Sequence, residues 1–115
     1  MRIVNLDDFL KLPVGTLFSK YQPIVLENLC IKGESILETK DFYFQSLNDS
    51  IECSSSEEFH DLFMLADKNG IDLLMNFHYE HRDGMYDEKQ LFAVFVTRDF
   101  EQLLDRLKEA YKSAN

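Results

Sequence analysis

Residues 16–47 read TLFSKYQPIVLENLCIKGESILETKDFYFQSL, and this stretch decides the fold. It is rich in β-branched and aromatic residues and is broken at short intervals by turn-forming residues, which is typical of an antiparallel meander. Pro23 interrupts the first run, and Glu27-Asn28 and Gly33-Glu34 are predicted as tight turns. The predicted strands are Thr16–Tyr21, Leu29–Lys32, Ser35–Glu38 and Asp41–Leu47, and the short apolar run Ile24–Leu26 follows Pro23.

A short helix is predicted before this stretch. Asn5 is a suitable N-cap for Leu6–Leu10, and the acids Asp7 and Asp8 fall in the first turn, where the helix dipole favours negative charge. Pro13 ends the helix because the residue before a proline is displaced from the helical region.

A second helix is predicted after the serine run 54–56. Ser54 with Glu57, or Ser55 with Glu58, would form a capping box. The helix ends at Gly70, which supplies a left-handed residue. Its apolar face is predicted to carry Phe59, Leu62, Phe63 and Ala66.

The last third of the chain predicts two strands and a helix. Leu73–Glu80 alternates between apolar and polar residues, and Gln90–Thr97 is so apolar that both its faces are expected to be covered. Asp99 or Thr97 is predicted to cap the final helix. One apolar stripe follows from the helical spacing of Phe100, Leu103, Leu104, Leu107 and Tyr111.

The predicted order is therefore α-β-β-β-β-α-β-β-α. We expect a single α+β domain over residues 1–115, with an antiparallel sheet of five to six strands packed with two to three helices. The length of 115 residues is close to that of one domain and too short for two cores.

The composition excludes some classes of partner. With 12 Lys and Arg against 21 Asp and Glu, the formal net charge is −9, so general binding to a nucleic-acid backbone or an anionic membrane is disfavoured. No signal peptide or membrane span is recognisable. A cytoplasmic protein with reduced thiols is expected, in which Cys30 and Cys53 are small hydrophobic residues rather than metal ligands.

The negative charge is concentrated in one segment. Residues 41–67 contain seven acids and no Lys or Arg, so they carry −7 of the net −9. One interpretation is a solvated loop and helix face that keeps the chain soluble. The other is a docking surface for a protein with a basic surface, with partner-binding residues Asp49, Glu52, Glu57, Glu58 and Asp61.

Catalytic and metal-binding motifs are weak. The sequence has no nucleophile elbow, phosphate-binding loop or dinucleotide-binding turn, so we predict no catalytic residue and no cofactor. Cys30 lies in an apolar strand, which disfavours its thiolate. His78 and His81 point to opposite faces of a regular strand, so we predict a solvated hairpin end there rather than a metal site.

A small-molecule site is the alternative to protein docking. Tyr21, Lys32 and Arg82, with Lys20 beside them, flank predicted turns and would offer positive charge and a stacking face to an anion or nucleotide. A chain of this length has few deep clefts, so homo-oligomer formation is expected in that case.

Three stretches carry a resemblance to a known group of proteins. Residues 12–23 (LPVGTLFSKYQP), 29–34 (LCIKGE), and 82–87 (RDGMYD) followed by 90–95 (QLFAVF) together resemble small proteins encoded by bacteriophages and prophages. The resemblance spans residues 4–107 and offers no functional residue to carry over. It implies a phage protein that acts on the host cell by binding.

The leading hypothesis is a non-enzymatic binding protein of phage origin that inhibits or redirects a host protein, such as an anti-phage defence factor. The alternative is a module that sequesters a small molecule such as a nucleotide immune signal. A small enzyme or metalloprotein using His78, His81 and a cysteine, and a minor virion component, are the remaining hypotheses.

Overall fold

The computed structural model describes all residues, 1–115. It is one six-stranded antiparallel sheet with three helices, which confirms the predicted α+β class. The chain order is β1 (Arg2–Val4), α1 (Leu6–Leu10), β2 (Leu17–Gln22), β3 (Val25–Ile36), β4 (Asp41–Ser46), α2 (Ser56–Asn69), β5 (His81–Arg82), β6 (Leu91–Val94) and α3 (Thr97–Ala114).

The spatial order of the strands is β1-β6-β2-β3-β4-β5, and all neighbours are antiparallel. Strand β6 lies between β1 and β2, and three of its four residues are buried. This agrees with the prediction that both faces of the last strand are covered. The N-terminal strand β1 was not predicted, because three residues carry too little pattern to identify a strand.

Two predicted turns are wrong. Glu27-Asn28 and Gly33-Glu34 lie within β3, one continuous strand of 12 residues. The chain reverses between β3 and β4 at residues 37–40, and between β2 and β3 at Pro23-Ile24, where Ile24 has a φ of 70°. Proline presets the first position of such a turn, and the left-handed second position falls on Ile24 although glycine usually occupies it.

The predicted strand Leu73–Glu80 is also wrong. Within it only Met75 forms a β-bridge, to Ile51, and regular pairing begins at β5, opposite Tyr43 and Phe44. The backbone is held instead by single hydrogen bonds, such as that from the Asn76 amide to the Ser50 carbonyl at 2.8 Å. Alternating hydrophobicity therefore indicates neither a strand nor a buried side here, since Met75, Phe77 and Tyr79 are all exposed.

The core lies between α1 and one face of the sheet. Phe9 of α1 is fully buried, with its ring stacked on Phe92 at 3.9 Å between centroids and edge-on to Phe18 and Phe42. Asn5 caps α1 as predicted, since its side chain accepts from the Asp8 amide at 2.9 Å. A helix of only five residues is thus fixed by its cap and by aromatic packing.

The other two helices are peripheral, and neither has a buried residue. Helix α2 begins and ends as predicted, with Ser55 as N-cap and Gly70 as a left-handed C-cap. Helix α3 has Val96 at its N-cap and no side-chain cap, so the prediction of Asp99 or Thr97 is wrong. Asp99 pairs instead with the N-terminal amine of Met1. None of the three helices is long and apolar enough to cross a membrane.

Candidate functional site

An open cleft of about 680 Å³ lies beside α1 on the same face of the sheet. The strand register places Phe18, Cys30 and Ser46 in one row across its floor. The acidic stretch before α2 and the first turn of α2 form one side, and residues 79–81 form the other. The volume lies in the range that small-molecule sites occupy.

Aromatic side chains form one wall of the cleft. The His81 ring lies 5.9 Å from Phe44 and 4.8 Å from Tyr79, the latter edge-on. Phe59 reaches the cleft from α2. Tyr79 and His81 are exposed, so these rings can meet a planar or apolar group without prior unfolding.

The charged groups of the cleft are mainly acidic. Glu27 and Asp49 line it, and the single cation, Lys20, is 2.6 Å from the carboxylate of Asp83. Two carboxylates and one already paired ammonium disfavour an anion. The lining therefore favours a neutral or cationic ligand with aromatic character over a nucleotide.

Side chains at the amino end of α2 accept hydrogen bonds from backbone amides there. The Ser55 hydroxyl accepts from the Glu58 amide at 3.1 Å, and the Glu58 carboxylate accepts from the amide and hydroxyl of Ser54. The two hydrogen bonds from Ser54 lower the pKa of Glu58. Because a carboxylate already occupies this end, the helix offers little to a further anion.

The Cys30 thiol on the cleft floor is protonated at neutral pH. Burial, and then the nearby Asp49, raise its pKa to about 11. Cys53 also lines the cleft and is half-buried, and both cysteines are free. A thiol with so high a pKa is a poor nucleophile, which agrees with the interpretation of Cys30 as a small buried hydrophobic residue.

The histidines do not form a metal site in this structure. No group of three His, Cys, Asp or Glu side chains is arranged to hold a metal ion. His81 lies on β5 opposite Phe44, while His78 lies in a turn where its amide donates to Asn76.

The acids of residues 41–67 fall into two groups. Asp41 is buried and paired with Arg82, so it is not part of any docking surface. The other six are exposed, and none is paired with a Lys or Arg. We call this set the acidic segment: Asp49, Glu52, Glu57, Glu58, Asp61 and Asp67.

The three predicted ligand-binding residues are not brought together. Lys32 is 2% exposed, and its ammonium donates to Gly33 and Ser35 inside the core rather than flanking a turn. Tyr21 lies on β2 and Arg82 on β5, with β3 and β4 between them. The cleft shares only Lys20 with the predicted group, and its aromatic wall was missed because Phe44, Tyr79 and His81 meet only through the register of β4 with β5.

Comparison of the chain with protein-family models, with curated proteins and with solved structures found no match.

Proposed function

We propose that this chain is a non-enzymatic binding protein that docks through its acidic segment onto a basic surface of a partner protein. The observation that carries the proposal is the state of those six carboxylates: all are exposed, and none is paired with a Lys or Arg. Only His60, 3.8 Å from Asp61, lies beside one of them. A concentrated field of one sign raises the rate of encounter with an oppositely charged surface.

Apolar groups beside the acids support docking rather than mere solvation. On α2, Phe63, Met64 and Leu65 are 37%, 45% and 46% exposed, and Leu74 and Phe77 are exposed in the following segment. Charge steers an encounter, whereas exposed apolar area supplies binding energy once water is displaced. The resemblance to small phage proteins makes a host protein, such as a defence factor, the expected partner.

The test compares two charge-reversed variants in capture from bacterial lysate, followed by kinetics with the purified partner. One variant changes Glu52, Glu57 and Asp61 to Lys and spares Glu58, which caps α2. The matched control changes Glu38, Asp72 and Glu109 to Lys, three exposed acids outside the segment with the same total change in charge.

We expect the first variant alone to lose the partner, and the association rate of the wild type to fall steeply with added salt. Equal retention by both variants, or no partner at low salt, would contradict the proposal.

The cleft supports a second candidate function, sequestration of a small molecule. Its volume and its aromatic wall are the observations in favour. A thermal-shift panel should contain a cationic aromatic probe, benzyltrimethylammonium, with neutral aromatics and nucleotides. The Tyr79→Ala variant tests the site, and Tyr86→Ala, at an exposed tyrosine outside the cleft, is the control.

A rise in melting temperature that Tyr79→Ala removes and Tyr86→Ala retains would support ligand binding in the cleft. No shift with any of the probes would count against it.

A further inference from the structure

Helix α3 exposes an apolar stripe along its length. Phe100 and Leu103 near its start are half-buried, but the exposed fraction then rises to 44% at Leu104, 57% at Leu107 and 70% at Tyr111. The far half of the helix therefore extends away from the sheet with its hydrophobic side uncovered.

The shape of the molecule agrees with an extended helix. The radius of gyration is 16.0 Å, whereas a compact chain of this length is expected to have about 13 Å. A single amphipathic helix of 18 residues gains most of its stability from packing against its apolar face. Something other than its own sheet must cover that face.

The charges beside the stripe have a repeating order. At 100° per residue, Asp99 and Arg106 fall on one flank, and Glu101 and Lys108 fall on the other. On each flank the acid comes first and the base follows seven residues later. The amino half of the helix, 97–105, carries −2, and the carboxyl half, 106–114, carries +2.

This order is complementary to itself when two copies of α3 pack antiparallel. A twofold axis between them brings like flanks together, so Glu101 faces the partner's Lys108. On the other flank Asp99, whose carboxylate also pairs with the Met1 amine of its own chain, faces the partner's Arg106. Along the helix, the midpoint between positions 101 and 108 is 104.5, and the midpoint between positions 99 and 106 is 102.5. One axis close to Leu103 and Leu104 therefore serves both flanks.

The same axis places Phe100 opposite the partner's Leu107, so the apolar stripe is covered in the same register. A parallel pair would instead bring opposite flanks together at equal heights, with Glu101 beside the partner's Asp99 and Lys108 beside the partner's Arg106, so that like charges would meet. We propose that the chain forms a homodimer through antiparallel pairing of α3, with the stripe as its core and Glu101 and Lys108 fixing its orientation.

Sedimentation equilibrium of the full chain tests the proposal. We expect twice the chain mass of 13.5 kDa for the wild type and a return to the single mass for Leu107→Glu. Gln102→Glu adds the same charge on the opposite, exposed side of α3 and should leave the dimer intact. A monomeric wild type, or a dimer that Leu107→Glu leaves unchanged, would overturn the proposal.

A charge exchange tests the orientation without touching the stripe. Glu101→Lys and Lys108→Glu should each weaken the dimer, and the double variant should restore it. Failure of the double variant to recover the mass of the dimer would overturn the antiparallel arrangement. If the apolar stripe instead binds a different protein and the chain itself stays monomeric, the homodimer proposal is overturned.

Discussion

Arg82 on β5 donates from its Nε to the Asp41 carboxylate on β4 at 2.5 Å, across 41 positions of the sequence. The same carboxylate accepts from the amides of Phe42 at 2.8 Å and Gly84 at 2.9 Å. Burial alone would raise the pKa of Asp41, but the bonds from Arg82, Gly84 and Phe42 outweigh it and lower the pKa. The Asp41 side chain thus links the short edge strand β5 to β4 through hydrogen bonds.

Asp41→Asn should destabilise the protein at pH 7. The loss of charge-assisted hydrogen bonds is expected to cost about 1.5 kcal/mol, near the lower end of the range because Arg82 is half-exposed. The folded-state pKa of Asp41 lies below its unfolded value, so its contribution is present above the unfolded pKa and disappears as pH falls through the folded pKa. Urea unfolding should give the variant a lower free energy of unfolding than the wild type at pH 7, and this difference should disappear in acid.

Asp49→Asn serves as the control for Asp41→Asn, because Asp49 is exposed and has no ion pair. If the difference in free energy of unfolding between Asp41→Asn and the wild type stays the same in acid, the charge of Asp41 does not stabilise the fold.

The two cysteines should react with a maleimide at very different rates. With a pKa of about 11, Cys30 has about one thiolate per thousand molecules at pH 8, and it is only 7% exposed. We expect one label on the native chain, mapped to Cys53 by mass spectrometry, and a second only in denaturant. Cys53→Ser should abolish native labelling. Equal labelling of Cys30 and Cys53 would contradict the buried position of Cys30.

Local sequence signals account for much of this fold, and distant contacts account for the errors. The caps Asn5, Ser55 and Gly70 act within a few residues, and all three occur as predicted. The continuity of β3 is different, because it depends on β2 and β4 pairing along its two sides. Glu27-Asn28 is kept extended by β2 and Gly33-Glu34 by β4, and at each place the pairing register shifts by one residue instead of the chain reversing.

Gly33 shows why such a residue is present without a turn. A Cβ placed there would lie 2.8 Å from Oε1 of Glu80 and 3.0 Å from Cβ of Tyr43. Glu80 can move aside, but Tyr43 is held in β4. Glycine therefore permits the Glu80 side chain to approach β3 closely, a long-range contact that no local pattern reveals.

Gly33→Ala should consequently destabilise the protein by about 1–3 kcal/mol, the usual range for overpacking. Combining it with Glu80→Ala should recover only part of that loss, because the clash with Tyr43 remains. Gly15→Ala is a contrasting variant whose new methyl group meets nothing within 4 Å and whose cost comes from its φ of 95°. Full recovery in the Gly33→Ala, Glu80→Ala double variant would show that Glu80 alone is the obstacle.

The candidate site was predicted in part for the same physical reason. Acidic residues are usually exposed, and the five predicted docking residues all lie on the surface. The sequence predicts Lys32 at the surface because it flanks the predicted turn Gly33-Glu34, and only the position of α1 over the sheet reveals that it is buried. The cleft depends on the pairing of β4 with β5, where the sequence signal is weakest.

The burial of Lys32 leads to a prediction about alkaline stability. Its ammonium donates to the Gly33 carbonyl at 3.0 Å and to Ser35 at 2.8 Å and lies 5.7 Å from the centre of the Phe9 ring, but no carboxylate pairs with it. Burial lowers the pKa of Lys32 below its usual 10.5. The folded state thus releases this proton at a lower pH than the unfolded state does, so stability rises with pH from the folded pKa to the unfolded pKa.

Lys32→Met fills the same space without the charge and should remove that rise. We expect the variant to be about 1 kcal/mol more stable than wild type at pH 7, as when buried charges are replaced by apolar groups of similar volume. The difference should shrink as pH approaches 10.5, in urea unfolding followed by circular dichroism. Lys11→Met, at an exposed lysine, should show no such trend. A Lys32→Met variant less stable than wild type at pH 7 would show that the bonds to Gly33 and Ser35 outweigh the cost of burying the charge.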